Sequence, residues 1–458
     1  MNLRFDSLMR PLVVLNCVGL TKRHLGEHTP HITHMAGEGF ATPIHPSFPA
    51  VTATAQATML TGQDPSVHGI VANGWYFREL NEVLLWRQSE RLVQAPHVWE
   101  GQPWKVLKHF WWYAMNTSAH ATVTPRPVYH HDGSKSPDFY AWPAELKQAI
   151  VERHGEFPLF EFWGPTAGIG SSRWIAESFC TAWELQKPDL ALCYLPHLDY
   201  DLQRKGPLGE HLAGNLLGLD ECVGVIFKKL ARYEPRFLIV SEYGLVPVDD
   251  AVFLNRVLRK EGFLKVVWNA AGELIDFGMS RAFAVCDHQF AHVYVKNPED
   301  MESVRSVLQH VDGVSAVYGG EERGEIGLDH PRSGELVALS APNRWFIFDY
   351  WENDSRKPDF ARSVEIHKKP GYDPRELFFD PNGGKLRSAK ALVKKKLGLR
   401  YVMDPCSLDT RMVRGSHGLQ TTDPLDGPVL IGSEKAWNDL GPRHHRDVAR
   451  LIRFALNG

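Results

Sequence analysis

Thr52 is the residue of this chain whose position most clearly allows chemistry. It follows Pro49 and begins a run of small and helix-forming residues that stops at Gly62, a pattern that predicts a loop leading into a short helix. A hydroxyl in the first turn of a helix lies beside unpaired backbone N–H groups and the positive end of the helix dipole, where a phosphoryl oxygen is stabilised. Thr52 is therefore a candidate nucleophile toward phosphorus. The alternative is that Thr52 or Thr54 only caps the helix.

Three further reactive side chains follow apolar runs or glycine turns. Asp199 lies just beyond the run 189–196, Glu242 lies at the end of the run 237–244, and His417 lies among glycines. Such runs are typical of buried parallel strands. Because an α/β sheet binds ligands at the carboxyl ends of its strands, we expect these side chains to converge on Thr52.

The order of these motifs, with a first buried run at 11–19, resembles the alkaline phosphatase superfamily. Within it, the chain is similar to the type I phosphodiesterase / nucleotide pyrophosphatase branch, to which phosphonoacetate hydrolase is a close cousin. The resemblance implies an α/β fold: a three-layer core with a mostly parallel central sheet flanked by helices, plus an inserted α+β cap domain. It also implies phosphoryl transfer by a Thr nucleophile at a two-metal site.

The resemblance assigns the first metal site residue by residue. In the family one metal is held by Asp, His and His, and Asp199 and His417 match the first and last of these ligands. Gln203 stands four residues after Asp199, where the other His is expected. A Gln oxygen is a poor substitute for imidazole toward zinc. His197 and Asp201 flank Asp199 and are candidates to complete a single metal site.

The second site departs further from the family pattern. Its ligands are Asp, the nucleophilic Thr, Asp and His, but Val18 replaces the first Asp and Glu242-Tyr243 replaces the Asp-His pair. Val cannot ligate a metal, so Glu242 is the one ordinary ligand beside Thr52. We therefore expect at most one firmly bound divalent metal (zinc, manganese or magnesium), centred on Asp199 and His417. A second ion would be weak and oxygen-ligated, closer to magnesium or manganese behaviour.

Several residues are candidates for substrate binding or acid–base work. Asn16 lies two residues before Val18 on the same face of its strand, and its amide would reach a phosphate. Tyr243 would donate a hydrogen bond to a phosphoryl oxygen, and Gln56 is a further candidate for substrate binding. Glu242 would hold a second metal or act as general base.

Two functions follow from these assignments. The first is a metal-assisted hydrolase of a phosphodiester, a nucleotide pyrophosphate or a related phospho-metabolite, with Thr52 attacking phosphorus. The second is a catalytically altered or inactive member that binds a phosphorylated metabolite or a partner without hydrolysis. The fold does not decide between them, because function depends on the site.

The elements that must position these residues divide the chain into three ranges. Residues 1–245 are predicted to form the first part of the core, with an aromatic-rich, irregular stretch at 75–135 and a polar loop at 197–207. Residues 246–405 are predicted to form the cap, with an amphipathic helix at 251–262, a βαβ unit at 291–318 and an antiparallel pair at 334–351. Residues 406–458 return to the core. The tryptophans of 75–135 would either stack a ring of the substrate or pack a core.

Three other histidine-containing segments are candidates for metal or phosphate binding. We expect the group His24, His28, His31 and His34 to be a solvated surface, because Gly26 and Pro30 interrupt any single helix face. Asp287-His288 marks the start of a cap strand. The segment 367–373 is predicted to be a charged surface turn.

Composition limits the classes of partner. The 458 residues carry 51 Lys and Arg against 54 Asp and Glu, a net charge of −3, which gives no argument for nucleic acid or an anionic membrane. No apolar run approaches the ~20 residues of a membrane span, and the amino terminus lacks the pattern of a signal peptide. The six cysteines are scattered and are predicted to be reduced. We expect a cytoplasmic protein that binds a small phosphorylated metabolite, without nucleic acid and without membrane insertion.

Overall fold

The fold is known from a computed structural model, which describes residues 10–131 and 134–457. The first nine residues, on which the prediction about a signal peptide rests, lie outside the described residues. The strands are β1 Leu12–Cys17, β2 Phe40–Pro43, β3 Gly74–Phe77, β4 Glu82–Leu85, β5 Val106–His109, β6 Ala121–Pro125, β7 Val128–Tyr129, β8 Lys135–Ser136, β9 Phe139–Trp142, β10 Leu190–Leu195, β11 Arg236–Val240, β12 Val246–Pro247, β13 Asp250–Val252, β14 Val266–Asn269, β15 Gly272–Ile275, β16 Ala282–Asp287, β17 Phe290–Val295, β18 Val314–Gly319, β19 Leu336–Ser340, β20 Arg344–Phe346, β21 Gly415–Ser416 and β22 Val429–Gly432. The helices are α1 Pro30–Glu38, α2 Thr52–Thr61, α3 Pro65–His68, α4 Ala144–His154, α5 Leu159–Phe162, α6 Ile169–Gln186, α7 His197–Lys205, α8 His211–Leu230, α9 Leu254–Lys260, α10 Met301–Gln309, α11 Glu322–Glu325, α12 Gly384–Lys396 and α13 Arg446–Asn457.

The main sheet has eight strands in the order β2-β22-β11-β1-β10-β5-β6-β9. The central strands β11, β1, β10, β5 and β6 pair in parallel, whereas β22, β2 and β9 run antiparallel at the margins. Every residue of β1 and β10 is buried, as expected for strands covered by helices on both faces. The predicted fold class, an α/β core with a mostly parallel central sheet flanked by helices, is confirmed.

The prediction that 75–135 is irregular is wrong. This stretch contains the hairpin β3–β4 and the strands β5 and β6 of the main sheet. The strands are short, and the buried Lys108 and His109 interrupt the apolar pattern of β5. The Lys108 ammonium is accommodated there because it donates to the Tyr113 carbonyl at 2.8 Å, a partner that the sequence does not show.

A second, antiparallel sheet has the order β16-β17-β19-β18. The strand–helix–strand elements predicted at 291–318 are present as β17, α10 and β18, but β19 lies between the two strands. The predicted antiparallel pair at 334–351 is wrong, because β20 pairs in parallel with β13 instead of with β19. The predicted helix at 251–262 is the shorter α9, which begins after β13. The division into a core and an inserted cap stays a prediction.

The segment 367–373 is not a surface turn. The ammonium of the buried Lys369 lies 2.9 Å from Asp373 and 2.8 Å from Glu376, and Arg375 binds Asp349 and Asp373. Two of the partners, Glu376 and Asp349, lie outside the segment, and the pairing of Lys369 with Asp373 depends on the local fold. The charged composition of the segment therefore did not indicate that it is buried.

Candidate active site

Thr52 is the first residue of α2, and the extended Val51 is the N-cap. Within the described residues, the Thr52 hydroxyl has the Tyr243 hydroxyl as its hydrogen-bond partner, and the Thr54 hydroxyl donates to the Ile70 carbonyl at 3.0 Å. The alternative that either residue only caps the helix therefore has no geometric support. Thr52 is buried in the first turn of α2, where the Ala53 N–H donates to Asn73 Oδ1 at 3.0 Å and the other leading N–H groups have no partner within the helix.

Thr52 begins a chain of buried hydrogen bonds. Its Oγ1 is 3.3 Å from the Tyr243 hydroxyl, and Tyr243 donates to Asp199 Oδ1 at 3.4 Å. Because the single phenolic proton points to Asp199, Thr52 is the donor toward Tyr243. The other Asp199 oxygen accepts from Gln203 Nε2 at 2.6 Å, and Gln203 Oε1 accepts from the Tyr372 hydroxyl at 3.1 Å.

The segment that carries Asp199 and Gln203 is helix α7, so the predicted polar loop at 197–207 is wrong. The carboxylate of Asp199 in the first turn interacts favourably with the helix dipole. The pair Asp201–Lys205 at spacing i,i+4 also stabilises the helix, and the helix ends at Gly206. The helix places Asp199 and Gln203 on one face, toward the site. Asp201 instead pairs with Arg204 and Lys205.

Glu242 forms a second polar group beside Thr52. Its Oε1 accepts from Asn16 Nδ2 at 2.6 Å and from Gln56 Nε2 at 2.7 Å. Gln56 Oε1 accepts the backbone N–H of Trp112 at 2.7 Å, which fixes the orientation of its amide. Glu242 Oε2 and Asn16 Oδ1 have no hydrogen-bond partner within the described part of the chain. The structure therefore brings the predicted residues Asn16, Gln56 and Glu242 together.

His417 lies on the other side of Tyr243. Its Nδ1 is 2.7 Å from the Ala50 carbonyl, so Nδ1 carries the proton, and Nε2 has no partner among the described residues. The His417 and Tyr243 rings are stacked, with centroids 3.5 Å apart and an interplanar angle of 8°. Burial lowers the pKa of His417 to about 3, so the ring is neutral.

Two residues of the site were not assigned to it from the sequence. The His288 ring lies 3.5 Å from that of His417 and 3.9 Å from that of Tyr372. Asp287-His288 had been noted as a candidate in the cap, but its distance along the chain gave no partner. Tyr372 had no signal at all, because an isolated Tyr in a charged segment is ordinary.

In the described structure, the carboxyl groups of the site have amide and hydroxyl partners and no Lys or Arg partner. Burial raises the pKa of Asp199 to about 7 and that of Glu242 to about 7, against the hydrogen bonds that favour the ionised forms. Burial also raises the pKa of Tyr243 well above its usual range. Near neutral pH each carboxyl is therefore divided between its protonated and ionised forms, while Tyr243 keeps its proton.

The divalent-metal site centred on Asp199 and His417 stays a prediction, and few ligand atoms are available for it in this arrangement. No group of three His, Cys, Asp or Glu side chains within residues 10–131 and 134–457 is arranged to hold a metal. Both Asp199 oxygens are taken by Tyr243 and Gln203, and the Tyr243 ring covers one face of His417. His197, the other candidate ligand, lies against Gly218 of α8. The free oxygens of Glu242 and Asn16 beside Thr52 suit a hard cation such as magnesium or manganese.

The site opens into a cavity of about 2070 Å³. Thr52, Asp199, Tyr243 and His288 lie in its wall. Aromatic side chains line it farther out, namely Trp86, Trp112, Tyr140, Trp163, Tyr200 and Tyr372. Basic side chains lie around it, namely Arg87, Arg126, Lys135, Lys147, Lys368, Lys395 and Arg400.

The two interpretations of the aromatic-rich stretch apply to different tryptophans. Trp86 and Trp112 line the cavity, whereas Trp99, Trp104 and Trp111 pack in the core.

Among the residues that the structure describes, no helix is both long and apolar enough to span a bilayer. His31 of the predicted surface histidine group binds Asp220 at 2.7 Å.

Comparison with known proteins places this chain in a family. The chain matches the family model of type I phosphodiesterase / nucleotide pyrophosphatase over residues 12–373. It is 23% identical over 234 residues to an uncharacterized pyrophosphatase/phosphodiesterase of Schizosaccharomyces pombe, a match that spans 48% of this chain and 42% of the relative.

Solved structures of two enzymes share the fold. Phosphonoacetate hydrolase of Sinorhizobium meliloti 1021, in complex with phosphonoformate, has a TM-score of 0.61 at 13% identity, covering 98% of this chain and 96% of the other. An inactive variant of murine ectonucleotide pyrophosphatase / phosphodiesterase 5, in complex with AMP, has a TM-score of 0.57 at 15% identity, covering 98% and 95%. Since the family model covers most of the chain, this protein belongs to the type I phosphodiesterase / nucleotide pyrophosphatase family of hydrolases.

Proposed function

We propose that this chain hydrolyses a phosphodiester or a nucleotide pyrophosphate, with Thr52 as the nucleophile and Asp199 as the base that acts through Tyr243. The observation that carries the proposal is the continuous chain of hydrogen bonds from Thr52 through Tyr243 to Asp199 in the wall of the cavity. Membership of a hydrolase family and the position of Thr52 at the start of α2 support it.

The residues of the chain account for each proton in the first step. Thr52 Oγ1 attacks phosphorus and gives its proton to Tyr243, while Tyr243 passes its own proton to ionised Asp199. The bond from phosphorus to the leaving oxygen breaks, and that oxygen takes a proton from the carboxyl group of Asp199, which was protonated in the attack. Water then hydrolyses the phospho-threonine, which restores the Thr52 hydroxyl.

Two groups would stabilise the phosphoryl oxygens. The amino-terminal end of α2 supplies backbone N–H groups and partial positive charge. Protonated Glu242 would donate from its free oxygen, as a neutral acid held by Asn16 and Gln56. In the alternative state, ionised Glu242 and Asn16 Oδ1 would hold magnesium or manganese, which would supply neutralisation of charge on the phosphoryl oxygens in place of the Glu242 proton.

The charge of the site favours some substrates over others. No Lys or Arg side chain bonds to Asp199 or Glu242 in the described structure, so a phosphate with two negative charges would be poorly compensated beside Thr52. A diester, with a single charge on phosphorus, fits better. The neighbours that share this fold were solved with phosphonoformate and with AMP, and the small phosphorylated metabolite remains the substrate class that we propose.

One observation favours the second candidate, binding without hydrolysis. Val18, Gln203 and Tyr243 stand where the family pattern has metal ligands, and the Tyr243 ring fills the space next to His417. A protein with these replacements would keep the cavity and lose the metal chemistry.

The Thr52→Ala variant separates the two candidates. We expect the wild type to hydrolyse bis(p-nitrophenyl) phosphate faster than p-nitrophenyl phosphate, with and without added manganese. Loss of the nucleophile should then lower the rate by several orders of magnitude with a normal melting curve. Thr54→Ala is the matched control, because Thr54 lies on the same helix and its hydroxyl bonds, among the described residues, to the Ile70 carbonyl. Equal turnover by Thr52→Ala and the wild type would contradict the proposed nucleophile.

A further inference from the structure

The segment 384–402, hereafter the basic segment, consists of helix α12 and the residues that follow it. It carries seven Lys and Arg residues, and no Asp or Glu occurs from 381 to 403. Arg387 binds Asp380 at 2.7 Å and Asp404 at 3.2 Å, and Ala391 is buried. These contacts fix one side of the helix against the body of the protein.

The opposite side of α12 is apolar and faces outward. Leu386, Ala389, Val393 and Leu397 recur at the spacing that places side chains on one helix face. Leu386 is 60% exposed, Val393 is 59% exposed and Leu397 is 67% exposed. A surface helix of a globular protein normally packs its apolar face against the core. In α12 the apolar face is exposed to solvent instead.

Lysines border this apolar strip on both sides. At 100° per residue, Lys390 and Lys394 follow it on one side, and Lys385 and Lys396 follow it on the other. Lys390, Lys394 and Lys396 have no ion-pair partner within the described residues. The charges therefore contribute nothing to the fold through pairing and remain available to an external anion.

The basic segment also borders the cavity. Leu392, Lys395, Leu399 and Val402 line it, although they belong to other faces of the same segment. Whatever binds the outer strip would therefore lie next to an opening of the cavity that contains Thr52.

We propose that the basic segment docks this protein on an anionic lipid membrane. An exposed apolar strip between rows of lysine is the pattern of a helix that lies in the interface of a bilayer, with its apolar face among the acyl chains and its cations near the headgroups. A nucleic acid would use the cations but not Leu386, Val393 and Leu397. A second copy of the chain would present the same positive charge, so two such strips repel. The proposal concerns a surface and does not depend on the proposed hydrolysis.

Vesicle flotation with the full chain tests the docking surface. We expect binding to vesicles of equal parts phosphatidylcholine and phosphatidylserine, weak binding to phosphatidylcholine alone, and a loss of binding as salt is raised. Because each cation near an anionic leaflet strengthens binding about fivefold, Lys390→Glu/Lys394→Glu/Lys396→Glu should weaken it about a hundredfold or more. Val393→Asp/Leu397→Asp should weaken it at least about tenfold, because the apolar contact is lost.

Matched controls come from exposed residues elsewhere. Leu208→Asp replaces a 74% exposed leucine outside the basic segment, and Lys228→Glu/Lys260→Glu replaces exposed lysines on α8 and α9. Both controls should bind vesicles like the wild type. Equal binding by wild type and both segment variants, equal binding to both vesicle types, or no binding at all would overturn the proposal. So would a concentration-dependent dimer in light scattering that the Val393→Asp/Leu397→Asp variant abolishes.

Discussion

The buried carboxyl group of Asp373 and those beside Thr52 have pKa values shifted in opposite directions. Around Arg375, burial raises the pKa of Asp373, but Arg375 and Lys369 outweigh burial and lower it to about 2. Around Thr52, the carboxyl groups of Asp199 and Glu242 meet only amides and hydroxyls, and burial raises the pKa of each to about 7. Asp373 therefore stays ionised at any ordinary pH, although burial raises the pKa of Asp349 on the other side of Arg375. Asp199 and Glu242 instead exchange protons near neutrality, which suits acid–base work.

The largest expected effect comes from breaking the ion pairs of Arg375. Arg375→Met leaves the buried Asp349 and Asp373 without their bidentate partner, which should cost about 3–5 kcal/mol of folding free energy. Urea unfolding at neutral pH measures it. Arg411→Met removes the exposed pair with Asp409 and should leave the midpoint unchanged. A small loss in Arg375→Met would mean that water or another cation compensates Asp349 and Asp373.

The next effect concerns the proton path. Tyr243→Phe keeps the ring against His417 and removes the hydroxyl between Thr52 and Asp199, so turnover of a diester should fall about a hundredfold or more. Steady-state kinetics on bis(p-nitrophenyl) phosphate measures the change. Tyr140→Phe, which also lines the cavity, should retain the wild-type rate. Unchanged turnover in Tyr243→Phe would show that Thr52 loses its proton by another route.

The pH dependence of turnover should reflect the titration of Asp199 and Glu242, the two carboxyl groups beside Thr52. Ionised Asp199 is needed below neutrality and protonated Glu242 above it, so the rate should form a narrow bell near pH 7. Glu242→Gln keeps a donor that cannot ionise, so its alkaline side should flatten while the acid side remains. A rate that only rises with pH in both proteins would contradict the role of Glu242 as a proton donor.

The smallest expected effect is on stability. The raised pKa of Glu242 means that the folded state holds a proton that the unfolded state has already lost between about pH 4.5 and 7, so this group destabilises the fold increasingly as pH rises through that range. Glu242→Gln should therefore raise the melting temperature at pH 8 by a few degrees and leave it nearly unchanged at pH 4.5. Differential scanning calorimetry in the presence of a chelator measures both values. A stabilisation of equal size at the two pH values would show that packing, not charge, is responsible.

The sequence predicted the parts of the site that depend on local pattern. Long apolar runs predicted β1, β10 and β11, and the small-residue run from Thr52 to Gly62 predicted α2. Asp199, Glu242 and Tyr243 follow such runs, and the structure places them together with Thr52.

The missed parts depend on contacts between distant segments. Helix α7 begins directly after a strand and carries mixed charges, so its composition predicted a loop. The bond from Tyr372 to Gln203 and the ring contact of His288 with His417 join residues that lie 169 and 129 positions apart, and no local pattern encodes such pairs. The net charge of −3 averaged the basic segment with the acidic remainder and so hid it.

The order in which the chain is synthesised has a consequence for the main sheet. The edge strand β2 pairs only with β22, helix α2 packs against α13, and the Ala50 carbonyl bonds to His417. The segment that carries Thr52 thus obtains part of its packing and hydrogen bonding only from residues 417–457. A nascent chain stalled before residue 415 would leave the side of α2 that packs on α13 uncovered, and the surroundings of Thr52 would be completed only once residues 417–457 had been made.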